Sequence, residues 1–334
     1  MTTIRDVANE ARVSTTTVSH VINGTRRVDA ATAARVEAAI ARLGYRPNAL
    51  ARSMRRGRTH TVGVVVPDIA NPFFGDLSRW LEDGLFEAGY SAIICNSDGD
   101  HRKESRYLDV LLAKQVDGLL LIAASQSSDQ LRRLVDEGPP TIVIDRELDD
   151  LEVSQVMVAN HHGGWLAGRH LLELGHQDVA VIAGPGGLGT SARRLEGFRE
   201  AYEAAGIGIR PHRITRGDFR AASGRAAMDQ LLSRRRPTAV FAENDLMALG
   251  ALSAVHAAGL EIPADLSVVG FDGIAFGADV TPPLTTVVQS STAVAAAAIE
   301  LLLERLRDGS PPPRRIELPV LLAARGSSGP PGRR

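Results

Sequence analysis

The chain has 334 residues, 44% of them hydrophobic and 23% charged, with a formal net charge of −1. That length exceeds one ordinary domain and calls for two or three, with enough apolar content for a sizeable core. One cysteine, Cys95, excludes an internal disulfide framework and a cysteine-based zinc site, and no apolar run approaches the ~20 residues of a membrane span. MTTIRDVANEARV has no basic stretch leading into an apolar one, so no signal peptide and a cytoplasmic location are expected.

The near-zero charge conceals an asymmetry. Residues 1–60 hold eleven arginines against Asp6, Glu10, Asp29 and Glu37, a net +7, which leaves −8 for the remainder. A basic head on an acidic body implies that the head meets a polyanion.

Ile4, Val7, Ala8 and Ala11 form one apolar helical stripe, with Thr3 and Asp6 placed to cap it. Arg12 and Val13 make a turn. Ser14 caps a second helix, TTTVSHVIN, whose apolar side is Val18, Val21 and Ile22. Val36, Ala39, Ile40 and Leu43 predict a third helix, ended by Gly44. None is long enough to be stable alone, so the three must share a small core. Thr15, Thr16, His20 and Asn23 are left facing outward. Threonines make a weak helix, yet their hydroxyls donate and accept and their methyls suit thymine, which is useful for a helix entering the major groove.

TIRDVANEARVSTTTVSHVING through ARLGYRPNALARSMRRGRT resembles the DNA-binding head of the lactose-repressor (LacI/GalR) family, above all its ribose-repressor and purine-repressor branches. Arg12 departs from the Gly or Asn usual at that turn, and a bulky residue at positive φ has a steric cost. The resemblance implies a helix-turn-helix head over residues 1–46 and a hinge over 47–59. In the head, Thr15, Thr16 and Arg26 read bases, Ser14, His20, Asn23 and nearby arginines contact phosphates, and Thr17 belongs to the same DNA-binding surface. Pro47 and Gly57 bound the basic hinge. By resemblance, Met54 stands at the position that wedges open the minor groove, between Arg52 and Arg55.

Beyond residue 60 the pattern changes. TVGVVVPDI, SAIICNSD, DGLLLIAA and TIVIDRE are continuous apolar runs separated by helical stretches. DVAVIAGP, RITRGDF, TAVFAEND and LSVVGFDG repeat the scheme. Buried parallel strands alternating with helices predict two α/β lobes. Lobe 1 spans about 60–160 plus 292–320 and lobe 2 about 161–290. TPPLTTVVQSS crosses back to lobe 1, the helix AVAAAAIELLLERL and the strand RRIELPVLL complete a body over 60–326, and the tail 327–334 is expected to be disordered.

Ligands of open α/β sheets sit beyond the carboxyl ends of strands, where Asp68, Asn71, Asp145, Arg146, Asn244, Asp245 and Asp272 fall beside Phe73 and Phe74. The body is similar to periplasmic sugar-binding proteins. That resemblance implies that Asn71, Phe73 and Phe74 of NPFF, Asp145 and Arg146 of the strand-end DR, and Thr190 and Arg194 of TSARRLEGF bind an effector. It adds Phe219 of GDF, Asn244 of END, Asp272 of GFD and Gln289 of TTVVQ. Carboxylates, amides and guanidiniums grip dense hydroxyls while rings cover sugar faces. Leu188 stands where a purine-reading arginine would fall, so ribose or a related pentose acting as inducer is expected, with a purine corepressor as the alternative.

The expected partners are a palindromic double-stranded DNA operator, a small effector and a second copy of the chain, without a membrane, metal or cofactor. No long heptad repeat follows the body, which favours a dimer over a tetramer. GPGGLG at 184–189 imitates a dinucleotide fingerprint, but no strand ending in an acid follows at the required distance, which argues against an NAD-dependent enzyme. His161, His162 and His170 lack a metal-binding pattern with Glu173, and Ser191 has no base partner visible in sequence. A sugar-binding protein without a regulatory role would lack the DNA-reading head.

Overall fold

The computed structural model describes residues 2–45, 58–122, 129–148, 151–307 and 311–332, without the Asn23 side chain. The predicted hinge positions Arg52, Met54 and Arg55 lie outside the described residues. The chain divides into two compact units, Met1–Thr59 and His60–Arg334.

The described residues of the first unit form three helices: α1 Ile4–Ala11, α2 Thr15–Asn23 and α3 Ala30–Leu43. Each begins at a polar cap. The Thr3 hydroxyl accepts from the Asp6 N–H while the Asp6 carboxylate accepts from the Thr3 N–H; Ser14 and Asp29 cap α2 and α3. The predicted stripes meet: Val7, Ala8, Ala11, Val18, Val36 and Ala39 are buried together, with Ile4, Val21, Ile22, Ile40 and Leu43 around them. Arg12 adopts φ 56° and ψ 48°, so the arginine does occupy the left-handed turn position between α1 and α2.

The second unit carries two six-stranded sheets among its described residues. In lobe 1, β1 Thr61–Val66, β2 Ser91–Asn96, β3 Gly118–Leu121, β4 Thr141–Ile144 and β5 Ser154–Val158 are joined by a later strand, β11 Arg315–Leu318. The order is β11-β5-β4-β3-β1-β2, parallel throughout. Val62, Val64 and Val66 face α4 Pro72–Glu87 and a late helix, Ser291–Arg307; Val65 faces α5 His101–Ala113 and α6 Asp129–Glu137. Side chains of a strand alternate between faces, so a strand covered on both sides is apolar throughout.

Lobe 2 repeats the plan with β6 Val179–Ala183, β7 Ile214–Arg216, β8 Ala239–Ala242, β9 Ser267–Asp272 and β10 Thr285–Val288, closed by the antiparallel β12 Leu321–Ala323 in the order β12-β10-β9-β8-β6-β7. Helices α7 Asn160–Glu173 and α8 Gly189–Ala204 cover one face, and α9 Ala221–Leu232 and α10 Asp245–Ala257 the other. After the short α11 Phe276–Asp279 and β10 comes the late helix of lobe 1, α12. Glycines let α7 and α8 touch backbone to backbone. A Cβ at Gly164 would lie 1.9 Å from the Arg194 carbonyl oxygen, and one at Gly197 1.9 Å from that of His161.

Three sequence expectations are corrected. SQVMV is a buried strand, β5, that the apolar-run reading passed over, because Ser154 and Gln155 interrupt it; the Gln155 amide is satisfied by both the N–H and the carbonyl of Leu148, at 3.1 and 2.9 Å. RRIELPVLL is two strands in different sheets, β11 and β12, so the chain crosses between lobes a third time there. The tail is ordered through residue 332. It runs along lobe 2, where the Ser327 hydroxyl donates to the Val268 carbonyl at 2.6 Å and accepts from the Thr285 N–H at 2.8 Å, and His176 Nε2 lies 2.8 Å from the Gly329 carbonyl. Glycine, proline and serine are poor core formers, but here their backbone groups find fixed partners.

Ser327→Ala strands the Thr285 N–H and removes a donor from Val268. The variant is expected to lose about 1–3 kcal/mol of stability in urea unfolding of the body.

Candidate functional site

In the head, Ser14, Thr15, Thr16 and Arg26 are exposed, while Thr17 and His20 are half-buried. Thr15 and Thr16 occupy the first turn of α2. The Ser14 hydroxyl accepts from the Thr17 N–H at 3.0 Å and meets the Thr17 hydroxyl at 2.9 Å, while His20 Nδ1 lies 2.8 Å from Thr25 Oγ1. The N-terminal end of α2 therefore presents hydroxyls and the positive end of a helix dipole on a surface unused by the core. Asn23 is the last residue of α2.

In the body, the structure brings all eleven predicted effector residues to one cavity of about 550 Å³ between the lobes. Asp145 and Arg146 follow β4, Asp272 ends β9, Asn244 follows β8 and Phe219 lies beyond β7. Asn71 caps α4, its Oδ1 accepting from the Phe73 N–H at 3.1 Å; Phe73 and Phe74 follow, edge to face with centroids 5.3 Å apart. Thr190 and Arg194 come from the start of α8, and Gln289 from the crossover after β10. Asp145, Phe219 and Asp272 have φ of 57°, 68° and 115°, positions where non-glycine backbone is strained and often functional.

Arg194 is the centre of this arrangement. Its Nε donates to Asn160 Oδ1 at 2.8 Å and its Nη1 to the Glu243 carbonyl at 2.6 Å. Its Nη1 also lies 3.7 Å from Asp272 Oδ1, and its guanidinium carbon 3.6 Å from the Phe271 ring centroid. Gln289 Nε2 donates to Asp272 Oδ1 at 2.8 Å. Across the cleft, Arg146 Nη1 is 4.0 Å from Asp145 Oδ2, and Asp145 Oδ1 is buried without a hydrogen-bond partner. Burial pushes both Asp145 and Asp272 above the usual carboxylate range, against the pull of nearby arginines. Paired carboxylates, a guanidinium and rings at this spacing suit a small, hydroxyl-rich ligand.

Ion pairs among the described residues join the lobes, Arg220 Nε to Asp68 Oδ2 and Arg193 Nε to Glu147 Oε2, both at 3.3 Å. Asp98, His101 and Arg220 also line the cavity and were missed. The strand-end rule applied to SAIICNSD would have found Asp98, and Arg220 directly follows Phe219. Asp245, grouped with the strand-end candidates, is a buried structural acid. It accepts from the Gly273 and Ile274 N–H groups at 2.9 Å each and from the Thr286 hydroxyl at 2.5 Å, and burial pushes it up to about 7. Asn244 is largely engaged as well, capping α10 through Met247 and donating to the Phe219 carbonyl at 2.9 Å.

The decoys take other roles. GPGGLG is the β6–α8 loop, and its residues 185–188 line the cavity. His161 lies 3.0 Å from Glu200, and His170 2.8 Å from the Ser328 hydroxyl. Ser191 does have a carboxylate partner, Glu243 Oε2 at 2.5 Å, supplied from 52 residues away and so invisible in local sequence.

Residues 3–48 match the family of bacterial regulatory proteins called the lacI family, and residues 169–328 match the periplasmic binding protein-like domain. The chain is 40% identical to the ribose operon repressor of Escherichia coli (strain K12) over 98% of this chain and 100% of that one. It is also 40% identical to the HTH-type transcriptional repressor PurR of Aliivibrio fischeri (strain MJ11) over 98% of both. Among solved structures, a LacI family transcriptional regulator from Enterococcus faecium with bound ribose is similar at TM-score 0.74 and 34% identity, over 81% of this chain and 99% of that one.

The chain belongs to the lacI family of bacterial regulatory proteins. It is a DNA-binding transcriptional repressor with an effector-binding core, and its partners are operator DNA and a small molecule rather than a substrate to be turned over. No helix among the described residues is long and apolar enough to cross a membrane.

Arg194→Ala would leave buried Asp272 without its paired cation and weaken the positive field at Asp145, at a cost of about 3–5 kcal/mol near neutral pH. Asp145 and Asp272 have raised pKa values in the fold, so they favour folding below the usual carboxylate range and lose that contribution as pH rises. Removing Arg194 raises them further. The stability deficit of the variant in denaturant titrations should therefore be larger at pH 8 than at pH 5.

Proposed function

We propose that this repressor is a cytoplasmic homodimer that binds a palindromic operator and releases it when ribose or a related pentose fills the inter-lobe cleft. The observation that carries the reading is the cleft itself, where carboxylates, guanidiniums, amides and the Phe73–Phe74 rings surround one cavity of about 550 Å³. Leu188 gives its rim an apolar side chain where the purine-binding resemblance would place an arginine. A ribose-bound regulator of similar fold and a ribose operon repressor among the relatives support the same ligand.

One head offers a single reading helix, so a two-fold operator calls for two copies. The exposed rings of Phe86 and Phe276 are candidates for burial between them. Thr15, Thr16 and Arg26 read base edges; Ser14, His20, Asn23 and nearby arginines contact phosphates, with Thr17 on the same surface. In the hinge, Arg52 and Arg55 flank Met54, the wedge residue. Sugar binding stabilises the closed lobes and disfavours the DNA-bound state, a coupling of about 1–3 kcal/mol.

A purine corepressor is the second reading, because the PurR relative matches as well as the ribose repressor, at 40% identity. Calorimetric titration of the DNA-free protein with ribose, hypoxanthine and guanine separates the two. Saturable ribose binding without purine binding is expected, and the reverse result assigns the cleft to purines.

Thr16→Ala is expected to change base preference at particular operator positions, by about 1–3 kcal/mol at the affected base pair. A selection from randomised operators reads this directly. A uniform loss across all sequences reassigns Thr16 to a phosphate.

A further inference from the structure

Glu243 stands just beyond β8 and is wholly buried. Its Oε2 accepts from the Gly184 N–H at 2.7 Å and from the Ser191 hydroxyl at 2.5 Å, and its own carbonyl accepts from Arg194 Nη1 at 2.6 Å. One residue thus ties together the end of β6, the first turn of α8 and the central guanidinium of the cleft.

Each tie leads to a group that faces the cavity. Gly184 supports the Phe219 ring directly, for a Cβ there would lie 2.2 Å from Phe219 Cζ. Arg216 Nη1 donates to the Gly184 carbonyl at 3.1 Å, so the peptide groups on both sides of Gly184 are held. Ser191 follows Thr190 and precedes Arg194 by three positions, which is one turn of the same helix. Between Gly184 and Ser191 runs the loop whose residues 185–188 line the cavity.

We infer that Glu243 is a positioning residue of the effector cleft, acting through Gly184, Ser191 and Arg194 to set the loop, the Phe219 ring and the guanidinium that meet the ligand. The inference rests on reading the cleft as the effector site.

The same geometry makes effector binding sensitive to pH. Burial raises the Glu243 carboxyl to about 7, against the two hydrogen bonds at Oε2 and the charges of Arg194 from α8 and Arg216 from β7. Its Oε1 is buried without a partner. The ionised form accepts more strongly from Gly184 and Ser191 than the protonated form does. The cleft is therefore better ordered above neutrality, although the raised pKa makes Glu243 cost folding stability as pH climbs from the usual carboxylate range towards 7.

The test combines ribose calorimetry at pH 6 and pH 8 with amide hydrogen exchange of residues 184–194 in the ligand-free protein. Glu243 is expected to make wild type bind ribose roughly three- to tenfold more tightly at pH 8 than at pH 6, beside any contribution from the raised carboxyls of Asp145 and Asp272 that also line the cleft. Glu243→Gln keeps an oxygen that can accept from Gly184 and Ser191. It should hold affinity within about threefold of wild type at pH 6 and flatten the pH profile to whatever the raised carboxyls of Asp145 and Asp272 contribute. Glu243→Ala should weaken binding by more than about tenfold and speed exchange across 184–191.

An unchanged pH profile in Glu243→Gln, or wild-type exchange across 184–191 in Glu243→Ala, overturns the inference. Because the exchange is measured without ligand, it still decides the role of Glu243 if wild type proves not to bind ribose. That failure would count against the proposed ligand alone.

Discussion

A guanidinium buried between two sheets is the constraint on which the body depends. Burying an isolated cation costs several kcal/mol, so Arg194 has to be supplied with acceptors, opposite charge and a ring face from every side. Asn160 comes from α7, the Glu243 carbonyl from beyond β8, Asp272 from the end of β9 and Phe271 from within it. Delivering these groups explains otherwise separate features. The glycine contacts that bring α7 against α8 place Asn160 within reach, and the left-handed backbone at Asp272 turns its carboxylate back towards the cluster. These partners all come from lobe 2, and Asn71, Phe73, Phe74, Asp145 and Arg146 of lobe 1 complete the cavity around them.

The head obeys a different economy. Its core is small, its helices are short and its capping residues sit on its surface, so its outward face is free to be chosen for contact rather than stability. Thr15 and Thr16 illustrate this: as β-branched residues they weaken α2, and the Ser14 cap offsets part of that loss. Arg12 accepts a left-handed backbone where glycine would be easier, and adds one more cation to a strongly basic unit.

Much of this was legible in the sequence because local rules coincide with tertiary ones. The head stripes had the right period, and the doubly covered strands were apolar throughout, so their faces needed no guessing. Strand ends rich in Asp, Asn and Arg located the cleft, and resemblance supplied Thr190, Arg194 and Gln289, which no periodicity marks. What stayed hidden was pairing at a distance. Gln155 looks incompatible with a buried strand until its contacts with the Leu148 backbone are seen. Asp245 resembles a ligand residue until its bonds to the Gly273 and Ile274 backbone are counted. Ser191 looks partnerless until Glu243 arrives from beyond the end of β8. The glycine- and proline-rich tail failed for the same reason, since its order comes from lobe 2 and not from its own composition.

The triple crossing bears on how the protein is made. Lobe 1 precedes lobe 2 in the sequence, yet its edge strand β11 and its covering helix α12 are translated after nearly all of lobe 2. On the ribosome the first lobe must wait, with one edge unpaired and one face bare, while the second is synthesised. β11 and β12 then emerge almost together, only two residues apart, and finish both sheets at nearly the same moment. A nascent chain halted before residue 315 thus holds two incomplete lobes rather than one finished lobe and one missing. Such an intermediate exposes sheet edges that can pair with other chains, and it is a natural client for chaperones.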